Sequence, residues 1–103
     1  MKKKQIIRMK FSEAVFKRDG FKCVFCNEKE DLDAHHITDR NEMPNGGYVK
    51  ENGITLCPNH HMEAEEFHIT EGKKWIDGMH PDDLYKKIHS SYELAHEKSI
   101  SCL

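Results

Sequence analysis

The sequence predicts a small α+β fold whose centre reads strand, loop, strand, helix, flanked by helices on both sides. Three observations point there. Two short segments that read as strands, Leu32 to Ile37 and Ile54 to Leu56, are separated by a turn-rich stretch and followed by Pro58, a residue suited to the first turn of a helix. Two pairs of potential metal ligands at identical spacing, Cys23-x-x-Cys26 and Cys57-x-x-His60, bracket the two strands. The chain has 103 residues, of which 37% are hydrophobic and 33% charged, so its core is thin and a bound metal is one of few ways to stabilise it.

The elements follow in order. In residues 10 to 18, Phe11, Val15 and Ala14 share a helical face, Ser12 offers a cap, and Asp19-Gly20 closes the helix with a turn. Phe21 to Phe25 is aromatic and cut by the first cysteine pair, which suits a zinc knuckle, a tight turn whose amides face thiolate sulfur. Leu32 to Ile37 reads as a strand. Residues 38 to 53 read as loop, with Pro44, Asn45, Gly46, Gly47 and Gly53 as turn formers. Ile54 to Leu56 is a second strand, most simply antiparallel to the first. The helix from Pro58 to Phe67 stacks His61, Glu65 and His68 on one side. Thr70 to Asp77 reads as a further short helix. His80-Pro81-Asp82-Asp83 opens a last one, with an apolar stripe of Leu84, Ile88, Tyr92 and Ala95, before a loose SISCL end. The whole reads as one domain over 1–103, with a motif core at about 21–68 and a helical extension at about 70–98.

The formal charge is −2, so the molecule is no polycation. Its basic residues are grouped: Lys2, Lys3, Lys4, Arg8 and Lys10 open the chain, and Lys17, Arg18 and Lys22 follow. That run reads either as a solvated, frayed N-terminus or as a nucleic-acid contact. No apolar run has the length of a membrane span or of a signal-peptide core, which points to the cytosol and to reduced thiols. In that setting Cys-x-x-Cys reads as metal binding; a thiol–disulfide protein would need a βαβ context that is lacking.

Two ligand sets overlap within thirty-nine residues. Cys23, Cys26, Cys57 and His60 make a four-member set of the kind that closes a structural zinc site. His60 is the preferred fourth ligand, with His61 and Cys102 as competitors. The competing interpretation of the cysteines is plain burial without a ligand. His35, His36, Asn52 and His61 form the other set. Adjacent strand residues point to opposite sides, so His35 and His36 serve one site only if they are reoriented at the strand end or one reaches around the edge.

DAHHI at the end of a strand, Asn52 in ENGITLC, His61 in CPNHH and the lead-in KRDGFKCVFC together resemble the HNH endonuclease family over about residues 9 to 68. His36, Asn52 and His61 fill the three name positions. One departure is His60, where many zinc-containing members carry a second cysteine. The resemblance implies a ββα-metal (His-Me finger) core with a Cys/His structural zinc site, and a metal-dependent endonuclease that hydrolyses DNA phosphodiesters. It implies His36 as general base, and His35 and His61 as ligands of a divalent ion (Mg²⁺, Mn²⁺, Ni²⁺ or Zn²⁺). Asn52 would hold the loop and orient His36. Glu65 and His68 are candidates to complete the metal shell, although a solvated helix face is the favoured reading of both; Asp33 and Arg40 lie nearby. The compact form resembles phage or mobile-element members, which implies DNA-processing partners and neither a membrane nor a small-molecule cofactor. The alternative is a non-catalytic zinc module that binds nucleic acid or protein. His80, His89 and His96 read as ordinary surface or packing residues, and Trp75, Leu84 and Tyr85 as core.

Overall fold

The computed structural model describes residues 2–101. Its order is α1 (Lys3–Arg18), β1 (Asp33–His36), β2 (Gly53–Leu56), α2 (Pro58–Ile69), α3 (Pro81–Lys87) and α4 (Tyr92–Ser101). The fold is a small α+β arrangement consistent with a ββα-metal core. The loop joining the strands carries three 3₁₀ turns, Arg40–Glu42, Pro44–Gly47 and Lys50–Asn52. The strands pair antiparallel, with Asp33 opposite Leu56 and His36 opposite Gly53.

α1 begins seven residues earlier than the apolar spacing predicts. Gln5 reaches back so that its Oε1 accepts the Lys2 N–H at 3.2 Å, capping a turn that has no buried face of its own. The basic start of the chain is therefore helical from Lys3. Phe11 and Val15 are its buried residues, and they press on the strand pair. The contact is close at Gly53: a Cβ there would lie 2.5 Å from Val15 Cγ2 and 2.7 Å from Phe11 Cζ, so only glycine lets the helix approach. At the other end of α1, Arg18 pairs with Asp19 at 2.7 Å and donates to the carbonyl oxygens of Lys50 and Gly53. Asp19 Oδ2 accepts the Thr55 N–H at 2.9 Å. Arg18 thus staples the helix to the strands and is not part of a solvated basic run.

The main core lies on the opposite side of the strands. Ile37, Ile54, Leu56, Ala64, Leu84 and Ala95 are almost fully buried there, each burial contributing on the order of 1–3 kcal/mol for the larger side chains.

Past α2 the structure departs from the sequence reading. Residues 70–77 form turns and not a helix. Thr70 Oγ1 donates to the Glu66 carbonyl and accepts the Lys74 N–H, both at 2.9 Å, while Glu71 and Gly72 take left-handed backbone angles. The expected single final helix is two. His89 adopts φ 57°, and Ser91 Oγ accepts the Leu94 N–H at 3.1 Å as a new N-cap. The end is not loose through Ser101: α4 continues to that residue, Ser99 is buried, and its carbonyl accepts from Asn45 Nδ2 at 2.9 Å. Trp75 is half exposed and so is not core, whereas Leu84 and Tyr85 are buried as expected. Among the described residues, no helix is long and apolar enough to cross a membrane.

Candidate active site and metal centres

The two neighbouring histidines at the head of α2 diverge. His60 turns to the thiols: its Nδ1 lies 3.2 Å from Cys57 Sγ and 3.6 Å from Cys23 Sγ, and Cys26 Sγ is 3.7 Å from Cys57 Sγ. That sulfur separation is far too long for a disulfide. All four ligand atoms lie within 4.8 Å of one another, a cluster that fits one tetrahedral ion. The knuckle expected around the first cysteine pair is present, with the Asn27 N–H donating to the Cys23 carbonyl at 2.9 Å. Burial alone would push the Cys23 thiol up, but the N–H groups of Cys57, Phe25 and Cys26 outweigh it and hold the thiol below its ordinary value. Thiolate stabilised by amides is the form that binds metal. Phe25 stacks on His60 with ring centres 5.3 Å apart. Cys102, the third candidate for the fourth ligand, lies outside the described residues.

His61 turns the other way. Its Nε2 is 3.2 Å from Glu65 Oε1, and the same oxygen is 3.2 Å from His35 Nδ1. His35, His61 and Glu65 offer one ligand atom each within 4.8 Å. Glu65 is therefore not on a solvated helix face; one helical turn carries it beside the two imidazoles. His35 is the main cause that brings the Glu65 carboxyl down to about 2, so Glu65 is ionised. Burial keeps His35 neutral by pushing its pKa below the ordinary histidine value. Both His35 ring nitrogens are buried without an aligned hydrogen bond. A neutral imidazole has one N–H and one lone pair, and leaving both buried beside a carboxylate without a good partner is unfavourable unless something binds there; a mixed imidazole–carboxylate set fits a divalent cation. Asp33 Oδ2 lies 3.1 Å from His61 Nδ1. A proton on that nitrogen leaves Nε2 as the acceptor facing Glu65 and His35. Asp33 was noted from sequence only as a neighbour; its i, i+2 relation to His35 on β1 is the signal that puts both toward α2.

His36 lies on the other face of β1. It stacks on Phe11 with centres 4.5 Å apart and meets the Tyr48 ring edge-on at 4.9 Å. Burial there is the largest cause pushing its pKa down to about 4, with the proximity of His35 and the Arg40 charge adding to it. At neutral pH it is an uncharged imidazole. Its Nε2 is fully buried without a partner, so Nδ1 is the nitrogen that reaches open space. The orientation problem posed by adjacent strand residues is solved by the edge. β1 pairs only with β2 among the described residues, and a cleft of about 450 Å³ straddles its free edge. His35, His61 and Glu65 line one side of that cleft, and His36, Phe11 and Tyr48 the other.

Asn52 sits behind the cleft, completely buried, and belongs to neither ligand cluster. Its Nδ2 donates to the carbonyls of Thr38 and Gly47 at 3.0 and 3.2 Å, and its Oδ1 accepts the Thr38 N–H at 2.9 Å. Its own carbonyl accepts the Ile37 N–H at 2.9 Å. The chain leaving His36 is thus pinned on both sides of the peptide. His68 adds to this: its Nε2 donates to the His36 carbonyl at 3.0 Å, so it too is off the solvated face.

Sequence reasoning missed Tyr85. From α3 its hydroxyl donates to Asn52 Oδ1 at 2.8 Å and accepts from Thr38 Oγ1 at 2.6 Å. Burial pushes its phenol up to about 12. The unfolded phenol titrates near 10, so the folded state holds its proton longer. Stability is fully present below pH 10 and falls as pH rises through 10 to 12, by on the order of 2 kcal/mol. Tyr85→Phe is expected to abolish that alkaline loss and to lower stability by about 1–2 kcal/mol at neutral pH, measured by urea unfolding.

His80 caps α3, its Nδ1 accepting the Asp82 N–H at 3.0 Å, which fits the structural role expected of it. Among curated proteins and among solved structures, no significant match to the chain was found. The family model described as HNH endonuclease matches residues 23–70, a span that holds both ligand clusters, His36 and Asn52. The match supports a nuclease-type, metal-dependent activity on nucleic acid at family level. Over residues 23–70 the chain is therefore similar to the HNH endonuclease family.

Proposed function

We propose that the protein is a DNA endonuclease in which His36 is the general base, His35, His61 and Glu65 hold one divalent ion, and Cys23, Cys26, Cys57 and His60 hold a structural zinc. The observation that carries this reading is the divergence of His60 and His61 from one helix start into two separate clusters, one closed by sulfur and one open to a cleft. A binding module held by zinc alone has no use for the second cluster or for the neutral, buried imidazole across the cleft from it.

A divalent cation held by His35, His61 and Glu65 would supply positive charge to offset the negative charge that builds up in phosphodiester hydrolysis. His36 Nδ1 takes a proton from the attacking water as the oxygen–phosphorus bond forms, and the bond to the 3′ oxygen breaks. The rings of Phe11 and Tyr48 fix the His36 plane, and Asn52, Thr38 and His68 fix the backbone that carries it. Asp33 orients His61 through Nδ1.

The reading is tested with supercoiled plasmid and Mg²⁺, Mn²⁺, Ni²⁺ or Zn²⁺ in turn. Nicking or linearisation is expected with at least one ion and its loss in EDTA. Glu65→Ala is expected to lower activity by about 10–100-fold without loss of zinc from the cysteine cluster. Intact plasmid under every ion overturns the reading, as does cleavage that Glu65→Ala and EDTA leave unchanged.

A further inference from the structure

The family match begins at Cys23, yet α1, which precedes it, builds a wall of the cleft. Lys4, Arg8 and Ser12 follow one another at helical spacing along one side of α1. Arg8 faces the cleft there, and Arg40, on the turn after β1, lines it as well. Tyr48 joins the two: Arg40 Nη1 donates to its hydroxyl at 3.5 Å, and Arg8 hydrogen-bonds the same phenol. A second groove, of about 420 Å³, shares Arg8, Arg40 and Tyr48 with the cleft and runs on past Lys4, Asn41 and Asn45. The two spaces therefore adjoin at these three side chains.

We propose that Arg8 and Arg40, spaced by Tyr48, form a subsite for a backbone phosphate adjoining the scissile one, and that the groove beyond Lys4 leads that DNA strand away from the metal cluster. This rests on the nuclease reading for its substrate.

The charges around the cleft favour that placement. Its carboxylates are already engaged: Glu65 with His35 and His61, Asp33 with His61, and Asp39 Oδ1 with the Asn41 N–H at 3.0 Å. Both arginines are exposed, and one phenol oxygen occupies only part of the five-donor fork of each. Two guanidiniums converging on one neutral hydroxyl repel each other, and an anion between them relieves that repulsion. Burial would raise the Tyr48 phenol, but its hydrogen bonds from Arg40 and Arg8 more than offset this and lower it, which reports a positive local field. A chain of net charge −2 attracts a polyanion only through such a local field.

The test is binding of a fluorescein-labelled duplex oligonucleotide to zinc-loaded protein, by anisotropy over a range of salt concentrations with no other divalent ion added. Arg8→Gln/Arg40→Gln is expected to weaken binding about tenfold at low salt and to reduce the slope of log affinity on log salt by about 1, whereas Arg8→Lys keeps the slope. In cleavage assays the double variant is expected to raise KM with kcat changed less than about twofold. Circular dichroism and zinc content report that both arginine variants are folded. A double variant with wild-type affinity and salt slope overturns the subsite while leaving the nuclease reading intact. Absence of cleavage by the wild type, with the salt slope still lost in the double variant, overturns the nuclease reading and supports the subsite. Failure of the wild type to bind the duplex at all overturns the subsite outright.

Discussion

His36→Ala is expected to reduce DNA cleavage by about 10³-fold, a change in activation free energy of roughly 4 kcal/mol, at saturating divalent ion. The effect follows from position. His36 lies across the cleft from His35, His61 and Glu65, and its ring is unprotonated at neutral pH. Its packing between Phe11 and Tyr48 also has a structural side, since alanine leaves a gap beneath those rings. His36→Gln retains bulk without an imidazole and separates the two effects. Both variants are expected to keep zinc and far-UV circular dichroism. Rapid cleavage by His36→Gln, within about tenfold of wild type, would remove His36 from the role of base.

The second large effect concerns the cysteine cluster. Stripping its metal with a strong chelator, or replacing Cys57 by alanine, is expected to unfold the strand–helix centre. Structural zinc sites of this composition contribute about 10 kcal/mol or more to folding at neutral pH, against a typical total of about 5–15 kcal/mol for a domain. Cys57 is at once a cluster member, the N-cap of α2 and a core residue, with its Sγ accepting the His60 N–H at 3.5 Å. Loss of the metal therefore loosens the helix that presents both His60 and His61. Thermal melts read by circular dichroism, with metal content measured in parallel, check this. A melting temperature that stays put after complete removal would show that packing alone holds the fold. The comparison with Glu65→Ala, expected to stay folded, distinguishes the two clusters.

Much of the centre was legible in the sequence because its signals are local. Cys-x-x-Cys and Cys-x-x-His mark turns and a helix start, Pro58 marks the first turn of α2, and two short strand-like segments around a loop rich in turn formers mark an antiparallel pair. Helix spacing alone aligned His61, Glu65 and His68. The errors lie where an isolated side chain decides. Thr70 and Ser91 redirect the backbone with single hydroxyl hydrogen bonds, and Gln5 extends α1 by capping it. Periodicity does not report such contacts.

The sequence by itself offered two candidate sets of ligand-type residues with His60 and His61 at the seam. Only the tertiary structure decided how those residues are arranged. It turned the two imidazoles in opposite directions, drew Glu65 and Asp33 in beside one of them, brought His35 and His36 to a shared cleft from opposite faces of one strand, and hung Asn52 on Tyr85 from a distant helix. The reason is physical. Spacing along a strand or helix fixes which side chains share a face, but a ligand site is closed by atoms a few ångströms apart that packing alone assembles.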